Sequence, residues 1–118
     1  MGKSLTVSAI SEIATGTAMI VCPSLVGRLL LGAELSGVSI PIAHVTGIAL
    51  VALGIGCLPG VTALSGMLTY NALVTLYLSY LGIRGEWAGP LLWPVVLLHA
   101  ALTILLAGTW RNARKESR

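Results

Sequence analysis

From Leu35 to Ile83 the chain runs 49 residues without a formal charge. A membrane-crossing helix needs about 20 apolar residues. The run is therefore too long for one crossing and fits a helical hairpin. Its break is expected in the segment CLPGV, where Pro59 and Gly60 form a turn signal. This places one span at about 39–58 and the next at about 62–83.

A second uncharged run covers the 24 residues from Trp87 to Trp110. A span is expected at about 90–110, with a Trp ring at headgroup level on each side. Pro90 suits the first turn of that helix, and Pro94 falls at its edge, where a kink is allowed. The remaining apolar run, about 5–22, is the least apolar of the four. Ser8, Glu12, Thr15 and Gly16 recur there at steps of three and four. The expectation is that this stripe faces the other helices, with Ile10, Ile13 and Met19 turned away. Residues 23–37 are too short and too charged for a span and read as a short helix in the interface.

Composition agrees. The 118 residues are 56% hydrophobic and 9% charged, with mean hydropathy +0.94. Soluble domains carry about 25% charged residues. A chain this short cannot hide so much apolar surface in one water-soluble core, so lipid must solvate the rest. The fold expected is an all-α, up-down integral membrane four-helix bundle forming a single domain, 1–118. A short interfacial helix joins spans one and two, and a basic tail follows at 111–118.

The net charge of +3 sits largely in that tail and reads as a topology signal, not as a nucleic-acid surface. Four spans put both termini on one side. That side carries Lys3, Arg111, Arg114, Lys115 and Arg118, against Arg28 and Arg84 on the other. The positive-inside rule then favours cytoplasmic termini, in a multi-pass protein of the bacterial inner membrane. Ser8, Ser11 and Glu12 interrupt any signal-peptide core, so the first span is expected to be retained. Cys22 and Cys57 fall near opposite faces and are expected to stay free thiols.

Polar and titratable groups at membrane depth mark functional hypotheses. Glu12, His44 and His99 are the titratable ones, joined by Tyr70, Asn71 and Tyr77. Counted from the outer face, Glu12 and His99 share a depth, and His44 and Tyr77 are somewhat shallower. All four spans thus bring a polar group to the outer half. One reading makes these groups interhelical hydrogen-bonding contacts only. A second makes them an outward-facing pocket for a small hydrophobic ligand, a lipid or a quinone, in a non-enzymatic protein. A third has His44 and His99 ligate a b-type haem between spans two and four, for which two histidines alone are a weak signal. In a fourth the chain is an accessory subunit or assembly factor, a homo-oligomer or part of a larger membrane complex. The small-residue rows Ala43/Gly47 and Ala52/Gly56/Gly60 would serve it. Neither metal-ligand spacing nor soluble-enzyme motifs occur, so no catalytic residue is assigned.

The runs HVTGIALVALGIGCLPG, LTYNALVTLYLSYLGIRGEW and GPLLWPVVLLHA resemble a family of small four-helix bacterial membrane proteins, loosely similar to the DoxX-like group. The resemblance covers about residues 20–110 and implies a four-helix membrane bundle. The looser group includes members linked to sulfur-compound or quinone redox chemistry. This chain has no thiol pair placed for disulfide exchange, and the resemblance carries over no catalytic residue.

Overall fold

The computed structural model describes residues 2–116. It contains five helices: α1 (Gly2–Val21), α2 (Pro23–Leu31), α3 (Ser39–Gly56), α4 (Ala63–Arg84) and α5 (Leu92–Glu116). Three of these are long and apolar enough to cross a membrane: Lys3–Val21 of α1, α3 and α5. The chain is thus all-helical with the marks of a membrane protein. At 22 residues α4 matches them in length, but Tyr70, Asn71, Thr75, Tyr77, Ser79 and Tyr80 keep it out of the apolar set.

Local chemistry explains the boundaries. Pro23 opens α2 directly behind α1, since a proline at the first helical position loses no hydrogen bond. Thr62 caps α4 by accepting from the Ser65 amide. Gly85 ends α4 in the left-handed region at φ 74°, and its amide donates to the Leu81 carbonyl. Pro90 lies in the preceding turn, and Pro94 falls in the first turn of α5, where no kink is required. The last helix runs on through the basic residues as far as Glu116.

Consecutive long helices are antiparallel. Gly54 meets Ala9 while Gly47 meets Ile20, Gly56 meets Gly66 while His44 meets Tyr77, and Gly82 meets Trp93 while Tyr70 meets His99. The expected up-down four-helix bundle is met only in part. α1 packs on α3, α3 on α4 and α4 on α5, with α2 against α1 and α3. No Cα of α1 comes within 8 Å of one in α4 or α5, nor does α3 reach α5. The result is a row of helices in a slab of 49 × 37 × 16 Å. Short connections force antiparallel neighbours but do not force the ring to close. Lipid is as apolar as leucine, so closing it brings no water-driven gain. The closest approaches of backbone to backbone lie between α1, α3 and α4. Leu98 and Leu105 of α5 stay exposed.

The orientation of α1 needs correction. It turns Ala9, Ile13, Gly16 and Ile20 to α3, while Ser8 and Thr15 are exposed. Close approach decides this rotation. A Cβ on Gly16 would stand 2.5 Å from the Gly47 carbonyl oxygen, and one on Gly54 2.6 Å from that of Ala9. Ala43, Gly47 and Ala52 are buried as the spacing implies, while Gly60 belongs to the turn instead. Gly54, outside the expected rows, is one of the tightest contacts.

The two ends of the slab differ. One end, called here the α2 end, holds α2 and the α4–α5 loop. The other, the tail end, holds the Pro59–Gly60 turn and the start and basic end of the chain.

Candidate functional site

The six polar residues singled out in the sequence do not form one layer. Two pairs form, both on α4. His44 Nδ1 and the Tyr77 hydroxyl share a hydrogen bond of 2.7 Å across α3 and α4, with the rings edge to face. Tyr70 meets His99 across α4 and α5, with ring centroids 6.1 Å apart and planes at 65°. His99 Nδ1 donates to the Val95 carbonyl at 2.9 Å, a bond within its own helix.

Asn71 is buried at 2% exposure, and its Nδ2 donates to the Met67 carbonyl at 2.8 Å. That bond lies within its own helix, and Asn71 lines neither of the two hollows described below. Glu12 is half-buried and has no hydrogen bond or ion pair among the described residues. The other polar groups singled out near its depth, His99, Tyr77, Tyr70 and Asn71, all stand on helices that α1 does not touch. A shared depth is a condition for contact, but not a sufficient one. Neighbour order decides, and the row separates α1 from α4 and α5.

The same order tests the haem reading. α4 lies between α3 and α5, so it stands between His44 and His99. Their partners on α4 are seven residues apart, about 10 Å along the axis. Axial ligands of one haem face each other across a single iron, and these two residues do not fit that requirement. No group of three His, Cys, Asp or Glu suited to a metal ion occurs among the described residues. Cys22 and Cys57 are free.

Two hollows bear on ligand binding. The larger, about 340 Å³, is a groove between α3 and α4 in the tail half. Ala49, Ala52, Gly56, Ala63 and Gly66 leave it empty, and Tyr70 is the one hydroxyl on its wall. It lies in the half away from α2, whereas the pocket expected from the sequence lies in the half next to α2. Its signal was present: small residues crowd both flanks of the Pro59–Gly60 turn.

The smaller hollow, about 150 Å³, lies at the α2 end, lined by Tyr77, Tyr80, Arg84, Glu86 and Trp87 with Ile40, Pro41 and Leu81. Tyr77 connects it to His44. Arg84 Nη1 donates to the Tyr80 hydroxyl at 3.4 Å, and its guanidinium lies 5.7 Å from the centre of that ring. Tyr77 and Tyr80 stand 6.4 Å apart by centroid. A line of polar groups therefore runs from the helix end inward: Arg84, Tyr80, Tyr77, His44. Sequence reasoning found the inner half of this line. The outer half had a signal too: Arg84 and Glu86, a cation and an acid, follow directly behind Tyr77 and Tyr80.

Set beside known proteins, this chain has no match among protein-family models, curated proteins or solved structures.

Proposed function

We propose that the chain is a non-enzymatic, four-span protein of the bacterial inner membrane. In this reading α4 also crosses the membrane, as the third of four spans, α2 lies in the interface, and both termini are cytoplasmic. It holds a small amphiphilic ligand, a lipid or a quinone, at the α2 end, which is then the outer half. The proposal includes kinship with the DoxX-like group, carried by the runs around His44, Tyr77 and His99.

One observation carries the ligand reading: the His44–Tyr77 hydrogen bond adjoins a hollow of about 150 Å³ that also carries a cation, an acid and two more aromatic rings. Apolar walls with a few convergent polar groups are the usual make-up of a small-molecule site. In lipid, a tyrosine and a histidine tied together cost little, and either can turn to an incoming acceptor or donor.

Native mass spectrometry of the protein released from mild detergent tests this reading. A retained amphiphile that is lost on Leu81→Trp, which fills the hollow, is the expected result. A ligand-free protein, or a ligand retained equally by that variant, would count against it. Topology is tested separately by labelling: a cysteine placed at position 113 should react only from the cytoplasmic side of intact cells.

A further inference from the structure

The α2 end carries two acid–base pairs, and they behave differently. Arg28 and Glu34, six residues apart, close a salt bridge of 2.7 Å on the α2–α3 connection. Arg84 and Glu86 are only two residues apart and line the same small hollow, yet they form no ion pair. The left-handed Gly85 between them ends the helix, so Arg84 stays on α4 beside Tyr80 while Glu86 belongs to the loop. Glu86 has no hydrogen bond among the described residues. One cavity thus presents a cation and an anion that form no salt bridge with each other, with Trp87 and Tyr80 beside them.

A ligand that suits both charges must itself carry both. A guanidinium is a strong partner for a phosphodiester, and only one of its five N–H donors is engaged by Tyr80. A carboxylate with aromatic faces beside it suits an ammonium, by charge and by cation–π attraction. The cavity is small enough to hold a headgroup and no more. Ile40, Pro41 and Leu81 supply its apolar lining, which suits the start of acyl chains. Resting on the reading of this end as a ligand site, we infer that it is a headgroup site for a zwitterionic phospholipid with a phosphodiester and a primary ammonium.

The test uses the full chain in detergent, titrated with phosphatidylethanolamine, phosphatidylcholine, phosphatidylglycerol and a ubiquinone, with bound species counted by native mass spectrometry. Phosphatidylethanolamine is expected to bind about tenfold more tightly than phosphatidylglycerol, which has no cation, a ratio of the size one charge-assisted contact supplies. It should also exceed phosphatidylcholine, whose methylated cation cannot donate to Glu86. Glu86→Gln should abolish the preference over phosphatidylglycerol, and Arg84→Gln should weaken all three phospholipids alike. Both residues are exposed, so neither change removes a core contact. Soluble glycerophosphoethanolamine separates a lipid from a free phosphate–ammonium compound. Competition only at large excess supports the lipid, whereas equal potency overturns it. Preference for phosphatidylglycerol, or a preference unmoved by Glu86→Gln, also overturns the inference. Binding of the quinone alone would overturn it while leaving the ligand reading intact, and binding of no amphiphile would overturn both.

Discussion

The interface of α1 with α3 brings backbone against backbone. Gly16 and Gly47 face each other so closely that a Cβ on either would stand 2.5 or 2.6 Å from the carbonyl oxygen of the other. The interface of α4 with α5 works through a side chain. A Cβ on Gly82 would meet the Trp93 ring, at 2.5 Å from Cζ2, and that ring is itself half exposed. In the first case nothing can yield except the helices. In the second the indole can turn. Membrane helices lack a water-driven reason to associate, so the closeness of approach largely decides how firmly a pair is held. α1 and α3 should form the rigid part of the row, with α5 the more easily displaced.

Breaking the first interface should produce the largest effect. Gly47→Leu forces α1 off α3 and is expected to cost about 3 kcal/mol, the upper range for overpacking. Thermal unfolding of the detergent-solubilised protein measures it. Gly82→Ala asks only that Trp93 move, for about 1 kcal/mol. Its clearer sign is a shift in tryptophan emission, and equal destabilisation by the two glycine changes would remove the contrast drawn between them.

Smaller still is the His44–Tyr77 bond. Tyr77→Phe keeps the ring and removes the hydroxyl, at an expected cost of about 0.6 kcal/mol. A double-mutant cycle with His44→Ala should return a coupling of that size, while the same cycle between Tyr77 and Glu12 should return none.

The smallest effect is expected at Glu12. With no partner among the described residues, Glu12→Gln and Glu12→Leu should both leave monomer stability within about 0.5 kcal/mol. Chemical denaturation monitored by circular dichroism tests this. A large loss on Glu12→Leu would show that something outside the monomer covers this residue.

Each expected helix is present, because the signals are local. Uncharged runs of a set length need a bilayer, Pro59 and Gly60 break the long one, and Pro23, Thr62 and Gly85 punctuate the rest. The antiparallel order follows from the short connections. Of the candidate site, the pairs His44–Tyr77 and Tyr70–His99 could be approached through depth, since helical rise converts residue counts into height. Height says nothing about which helix stands beside which. That is settled by where backbones can come close, at Gly16, Gly47, Gly54 and Gly66, and it requires both partners at once. Only the tertiary structure therefore determined that the helices form a row, that Glu12 stands apart from the histidines, and that Arg84 and Glu86 share a hollow without pairing.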